Sequence, residues 1–228
     1  MVDRLTYSRP WSRFQSFQAI PSMPSFSAIA LAAGAGTIVL ALATRSRALQ
    51  AVDDALERGA GRARMRSGVL RSASIGTLPG EPYMHPTIGA ACAAFVIAAQ
   101  RGPIVPVLAA LAVASLGAIV AHHVVKFFYR RPRPAGALAR GKTEPAFPSG
   151  HTTDATAVLV TGAYLIVRLG HASPAVVITV ATFLALCTGA SRVLLGWHWT
   201  TDVLGGWLTG IGVAACASGL YESLARIS

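Results

Sequence analysis

Long apolar stretches alternate with short polar connections along the chain, a pattern typical of helical membrane proteins. A helix needs about 20 apolar residues to cross a hydrocarbon core about 30 Å thick, because each residue adds about 1.5 Å. Four strong stretches and two weaker ones are present: 25–44, 85–100, 102–125, 152–167, 172–190 and 203–221. The weaker pair is short (85–100) or carries Asp154 near its start (152–167). We therefore predict an all-α, polytopic membrane protein with six transmembrane helices.

The segment between the first two predicted spans has a different pattern. Apolar residues recur there at helical spacing with charged residues between them: Ala48, Leu49, Val52 and Leu56. Gly59 and Gly61 are expected to end this helix, and an arginine-rich stretch follows. This pattern predicts an interfacial amphipathic helix within residues 45–80. A solvated loop is the alternative.

Two regions follow from this organisation. Residues 1–25 combine aromatic residues, arginines and prolines, which is typical of an arm lying on a membrane surface. Residues 26–228 are predicted to form one six-helix domain.

The composition supports this interpretation. Hydrophobic residues make up 53% of the chain and charged residues only 13%, which excludes a disordered chain or a coiled coil. The net charge of +11 would suggest nucleic acid in a soluble protein. Here the basic residues lie between apolar stretches, so membrane lipids and a phosphate-bearing substrate are the expected partners, and nucleic acid is not.

Polar residues cluster at three places, each at the end of an apolar stretch, where ionisable side chains are costly and usually functional. The first cluster has four cations within eight residues: Lys126, Arg130, Arg131 and Arg133. The positive flank of a membrane span would also explain these charges. The two X-Pro steps in this segment favour an extended backbone.

The second cluster is Pro148-Ser149-Gly150-His151, at the start of a predicted span. Ser149 can act as the N-cap, and Gly150 allows a ligand to approach the backbone. The first N–H groups of the helix would then point at an anion. A capped helix start with an incidental histidine is the alternative.

The third cluster contains Arg192, His198 and Asp202. His198 and Asp202 are four residues apart, so they share a face if this segment is helical. A carboxylate bonded to one imidazole nitrogen fixes the tautomer and leaves the other nitrogen as a nucleophile or base. Three cations, a helix N-terminus, two histidines and a carboxylate together favour a phosphoryl-transfer site.

These three clusters, in order and with matching spacing, resemble the three-part signature of the type 2 phosphatidic acid phosphatase superfamily. The resemblance covers residues 126–202, and the six-helix pattern extends it to about 26–221. It implies that His198 attacks phosphorus and becomes a phosphohistidine, that Asp202 orients it, and that His151 is the general acid and base. The implied phosphate-binding residues are Lys126, Arg133, Ser149, Gly150 and Arg192. No metal and no other cofactor is expected, because the cations take the place of a metal ion.

The neighbouring Arg131-Pro132 pair mimics the signature, but the spacing from Lys126 selects Arg133. Arg130 and Arg131 are expected to contact lipid headgroups.

Three other interpretations compete with a lipid phosphatase. Soluble vanadate-dependent haloperoxidases share the motifs, but six apolar spans argue against them. A metal-dependent hydrolase would use His122, His123, His151, His198 and Asp202, with Glu144 as one further ligand. A non-catalytic phospholipid-binding or transport protein gives no reason for His198 and Asp202 to lie together.

The expected substrate is a phosphate monoester or diphosphate of a polyprenyl lipid or a glycerolipid, with broad specificity. Six spans would place both termini on one side and all three clusters on the other. Fourteen Arg and Lys residues lie on the cluster side and six on the termini side, which favours a cytoplasmic site. The resemblance implies the opposite, extracytoplasmic face, and we keep that face as the expectation.

Overall fold

The computed structural model describes residues 25–98, 103–170 and 172–227, and within them the regular secondary structure is entirely helical. In chain order the α-helices are α1 (Phe26–Ala43), α2 (Arg47–Arg64), α3 (Val69–Gly76), α4 (Met84–Ala98), α5 (Ile104–Phe128), α6 (Ala135–Ala139), α7 (Gly150–Arg168), α8 (Pro174–Leu194) and α9 (Thr200–Ala225). A 3₁₀ turn, Leu78–Gly80, joins α3 to α4. Nearly all of the predicted N-terminal arm lies outside the described residues.

Each predicted span corresponds to a helix. Among the helices of the described ranges, four are long and apolar enough to cross a membrane by length and composition: α1, α5, α8 and α9. The helix α4 has 15 residues, and α7 carries Asp154 and several threonines. Large side chains on the outer surfaces of the long helices are exposed, among them Leu31, Leu116 and Phe183. An apolar exterior of this kind is suited to lipid.

The long helix α9 packs against α1, α5 and α7, with small residues at the contacts. Gly206 and Gly210 face Thr152 and Thr156 of α7, so closely that a Cβ at either glycine would overlap its neighbour. Because membrane helices associate through close packing, such small residues fix the separation of α7 and α9. This packing places the beginnings of both helices side by side.

The helix α2 corrects one prediction. Gly59 and Gly61 do not end it; the helix continues through both glycines to Arg64. The cost of a helical glycine is only about 1 kcal/mol, and Arg64 offsets it by bonding Glu57 and the Leu194 carbonyl. The chain then turns at Gly68, whose φ of 84° is in the left-handed region.

Candidate active site

One cavity gathers side chains from all three polar clusters. It has a volume of about 1260 Å³ and is lined by the predicted residues Lys126, Arg133, Gly150, His151, Arg192 and His198. The two remaining predicted residues, Ser149 and Asp202, are fully buried behind the wall. Segments far apart in the chain therefore meet at the end of the helix bundle where α5 ends and α7 and α9 begin.

His198 lies in the connection between α8 and α9 and is 2% exposed. The guanidinium Nη1 of Arg133 is 3.1 Å from its Nε2. Because a guanidinium only donates, this geometry assigns the lone pair to Nε2 and the ring proton to Nδ1. Nδ1 is 3.4 Å from Oδ2 of Asp202 and makes no hydrogen bond. Nε2 is thus the ring nitrogen with the electron pair, which accepts a hydrogen bond from Arg133 in this structure.

The surroundings of His198 keep its ring neutral. Burial lowers the pKa of His198 well below its usual range, and the nearby positive charges of Arg133 and Arg192 lower it further. A neutral imidazole is the form that can act as a nucleophile.

Asp202 is held by the first turn of α9. Its Oδ2 accepts a hydrogen bond from the Trp199 backbone N–H at 2.9 Å, and its Oδ1 accepts one from Arg131 at 2.8 Å. The expected shared helix face is not formed, because α9 begins at Thr200 and His198 precedes it. The turn that caps the helix, with Trp199 at the N-cap, brings the carboxylate to the imidazole instead.

The structure corrects the prediction that Arg131 lies at the membrane surface. It does not contact lipid headgroups; it is only 9% exposed and donates to three side chains. Its Nη1 bonds Asp202 (2.8 Å) and Thr201 (2.6 Å), and its Nη2 bonds Asp53 at 2.7 Å. A buried series of contacts thus runs from Asp53 through Arg131 and Asp202 to His198.

Asp53 of α2 was not predicted from the sequence to belong to the site. It is 1% exposed, and its Oδ1 accepts from the Thr201 backbone N–H at 3.1 Å. A signal for it does exist: Asp53 lies at helical spacing from Leu49 and Leu56, so it is an acid on the apolar face of α2. Such a residue requires a buried partner.

Besides its contact with His198, Arg133 donates two hydrogen bonds to backbone carbonyls, and these orient its guanidinium. Its Nε donates to the Glu144 carbonyl at 2.8 Å, and its Nη1 also donates to the Trp197 carbonyl at 2.9 Å. Burial lowers the pKa of Arg133, while the carboxylate of Glu144 opposes that shift. These bonds aim one edge of the guanidinium at His198.

The start of α7 forms another part of the cavity wall. Ser149 occupies the N-cap position as predicted, but its side chain makes no capping bond. Its Oγ accepts from the Thr152 hydroxyl at 3.0 Å, and its backbone N–H donates to the Asp202 carbonyl at 2.9 Å. The second bond ties the start of α7 directly to the first turn of α9.

Arg192 and His151 are each paired with a residue near the 3₁₀ turn. Arg192 is buried and donates to the Thr77 hydroxyl at 2.7 Å, and its Nε is left without a partner. Nε2 of His151 is 3.3 Å from a carboxylate oxygen of Glu81. Neither Thr77 nor Glu81 belongs to a motif, so sequence reasoning had no signal for them.

Most residues of the metal-site alternative line the same cavity, but they do not form a ligand cluster. His122 is 3.4 Å from Asp154, whereas His123 is exposed and contacts the carbonyl of Ile119. Throughout the described part of the chain, no three His, Cys, Asp or Glu side chains are grouped so that they could hold a metal ion.

Comparison with known proteins identifies the family. The family model described as the PAP2 superfamily matches residues 105–224, more than half of the chain and all three motifs. The chain belongs to the PAP2 superfamily.

Two relatives from Bacillus subtilis are informative. Phosphatidylglycerophosphatase B of strain 168 is 36% identical over 106 residues, which is 45% of this chain and only about half (52%) of that relative. A crystal structure described as the first transmembrane PAP2-type phosphatidylglycerolphosphate phosphatase from this species superposes with a TM-score of 0.75. It is 26% identical, and the match covers 87% of this chain and 98% of that one. The PAP2 fold therefore extends well beyond the motifs.

Proposed function

We propose that this PAP2 protein is an integral-membrane lipid phosphatase that acts through a phosphohistidine at His198. The observation that carries the proposal is the neutral, buried His198 imidazole in a cavity that also holds Lys126, Arg133 and Arg192. Three cations without three matching carboxylates favour a bound phosphate dianion. The family and both Bacillus relatives support this activity.

In the first step, Nε2 of His198 attacks phosphorus and the bond to the leaving oxygen breaks. The ring then carries a positive charge, which the Asp202 carboxylate 3.4 Å away stabilises. His151 donates a proton to the leaving oxygen. Nε2 of His151 lies 3.3 Å from a carboxylate oxygen of Glu81, which positions the ring.

In the second step, His151 takes a proton from water as the water oxygen attacks the phosphohistidine. The P–N bond breaks, phosphate leaves, and the electron pair returns to Nε2 of His198. Lys126, Arg133 and Arg192 stabilise the charge on the transferred group in both steps. The Gly150 amide completes the phosphate site, whereas the Ser149 hydroxyl is buried and bonded to Thr152, so it supports the start of α7 from behind. The reaction needs no metal.

The substrate in this proposal is a phosphate monoester or diphosphate of a lipid. Apolar side chains line the same cavity on the α5 side, including Ile119, Val124 and Phe127, which is 65% exposed. An acyl or prenyl chain can lie along this face while its phosphate reaches the cations. The chain crosses the membrane six times, α2 lies at the interface, and the cavity opens on the extracytoplasmic face.

The test is phosphate release by the purified protein in detergent, with phosphatidylglycerophosphate, phosphatidate and polyprenyl diphosphate as substrates. Wild type should release phosphate in the presence of EDTA, and vanadate should inhibit it. His198→Ala should lose at least about a thousandfold in kcat, as expected for loss of a nucleophile. Lipid binding without phosphate release would indicate the transport or binding alternative, and loss of activity in EDTA the metal-dependent one.

A trapping experiment tests the intermediate itself. Protein quenched in alkali after mixing with ³²P-labelled lipid should retain acid-labile, alkali-stable label. The label should be absent in His198→Ala and present in His123→Ala, which removes an exposed histidine of the same helix bundle. Label that persists in His198→Ala would assign the nucleophile elsewhere.

A further inference from the structure

A polar wall lies beside the proposed phosphate site and takes no part in the proposed chemistry. It is formed by His85 of α4, His122 of α5 and Asp154 of α7, which all line the cavity. These side chains are 2%, 5% and 7% exposed, respectively. Nε2 of His85, Nδ1 of His122 and Oδ1 of Asp154 have no hydrogen-bond partner.

Three buried, unpartnered polar atoms in one cavity require a ligand or water. Leaving such an atom unpaired costs about 1–3 kcal/mol, so buried groups of this kind are normally satisfied. The atoms are mixed in character, since a carboxylate oxygen only accepts and an imidazole both donates and accepts. A hydroxyl group, which also donates and accepts, is matched to this set.

The wall adjoins the phosphate site and continues from it into the helix bundle. His122 is four residues before Lys126 on α5, and Asp154 is four residues after Gly150 on α7. Four helical residues correspond to about 6 Å along the axis. The His122 ring packs directly against Gly150, since a Cβ there would meet it at 3.2 Å, and Asp154 lies about one helical turn further along α7.

We propose that this wall binds a hydroxyl-bearing linker between the scissile phosphate and the lipid chain. The inference rests on the proposed function and narrows its substrate to lipids whose terminal phosphate is carried by a glycerol or sugar unit with a free hydroxyl. A lipid whose hydrocarbon chain starts directly at the phosphate would place methylene groups against the three unpaired atoms. A diphosphate would place its second phosphate against the carboxylate of Asp154, which repels it.

The experiment compares two lipids that differ by one hydroxyl. Phosphatidylglycerophosphate has a free hydroxyl on the glycerol between its two phosphates, and phosphatidyl-1,3-propanediol phosphate lacks it. Wild type should have a kcat/KM at least about tenfold higher for the glycerol lipid, because a site built to bond a hydroxyl rejects the analogue without it. Asp154→Ala should bring the ratio of the two kcat/KM values close to one.

Thr161→Val is the matched control. Thr161 is also a buried α7 residue with an unpartnered hydroxyl, but it does not line the cavity. Its variant should keep the wild-type ratio of kcat/KM values.

Equal kcat/KM values for the two lipids in wild type would overturn the inference, because water would then satisfy the wall. The same holds if Thr161→Val lowers the ratio as much as Asp154→Ala does. In both cases phosphate release that depends on His198 would leave the proposed phosphatase activity standing. Wild type that releases phosphate from neither lipid would overturn the inference, whereas release from phosphatidate or polyprenyl diphosphate would still support the phosphatase activity.

Discussion

Two adjacent arginines with opposite surroundings show how much the environment of a single residue decides. Arg130 is exposed and bonds only a backbone carbonyl, whereas Arg131 is buried between two carboxylates, those of Asp53 and Asp202. Arg131→Gln should lower kcat at least tenfold and the stability by about 3 kcal/mol or more, because two buried carboxylates lose their shared cation. Arg130→Gln should change kcat by less than a factor of two and the stability by less than about 0.5 kcal/mol.

Kinetics and thermal unfolding in detergent measure both effects. The loss in Arg131→Gln should be in kcat more than in KM, because Arg131 acts through Asp202. Arg131→Lys should recover only part of it, since an ammonium group lacks the planar fork that bonds two carboxylates. Equal effects of Arg130→Gln and Arg131→Gln would contradict this role.

The buried imidazole of His198 makes stability depend on pH. An unfolded histidine has a pKa of about 6.5, and burial lowers the pKa of folded His198 well below that value. Below pH 6.5 the unfolded chain therefore binds a proton that the folded chain does not. This difference in proton binding lowers the free energy of unfolding by up to about 1.4 kcal/mol per pH unit as the pH falls from 6.5 towards the pKa of folded His198.

His198→Asn has no titrating imidazole at this position, so comparing it with wild type isolates the pH dependence that His198 causes. Between pH 7 and pH 5, the melting temperature of wild type should fall more than that of His198→Asn, as measured by thermal unfolding in detergent. A melting-temperature difference that does not change with pH would mean that His198 titrates normally.

At the scale of elements, the contact between α7 and α9 controls the geometry of the site. A Cβ on Gly206 would lie 2.8 Å from Thr152 Cβ and 2.9 Å from the Ser149 carbonyl. Gly206→Ala should therefore push the two helix starts apart, cost about 1–3 kcal/mol and reduce kcat. Thermal unfolding and phosphate release measure these effects.

Gly34→Ala on α1 is the matched control for this contact. A Cβ there meets nothing within 4 Å, and alanine is the better helix former, so stability and activity should be kept or slightly raised. If Gly206→Ala behaved like Gly34→Ala, the close approach of α7 and α9 would have no role.

The helices were predictable to different degrees. Long apolar stretches predicted α1, α5, α8 and α9, because length and hydropathy are local properties. The continuation of α2 through Gly59 and Gly61 was not predictable. Its last turn is stabilised by a bond from Arg64 to a carbonyl of α8, and local propensity contains no information about that contact.

In the whole molecule, some parts of the site follow from local sequence and others depend on contacts between distant segments. Six of the eight residues that the three motifs singled out line the cavity, and motifs can mark such residues because their types and spacing are local. Asp53 and Thr77 meet Arg131 and Arg192 only after the chain folds, so no motif marks them. The prediction that Arg131 contacts lipid headgroups was wrong for this reason, because its two buried carboxylate partners, Asp53 and Asp202, come from distant segments.

The position of α2 also fixes a prediction about topology. Asp53 contacts Arg131 and Thr201, so the connection that contains α2 lies on the cavity side of the bundle. The helix α9 begins on that side and runs 26 residues, about 39 Å, to its other end. Exposed positions next to α2 and near the end of α9 should therefore lie on opposite faces of the membrane.

Single-cysteine labelling in intact cells tests this prediction. In a background with Cys92, Cys187 and Cys216 changed to alanine, Arg66→Cys should react with a membrane-impermeant maleimide when the site is extracytoplasmic. Ser223→Cys should react only after the cells are opened. The reverse pattern would place the cavity in the cytoplasm, in agreement with the excess of Arg and Lys on its side. Labelling of both positions in intact cells would contradict six crossings. With six spans, five of them (α4, α5, α7, α8 and α9) separate position 66 from position 223, so the two positions must lie on opposite faces.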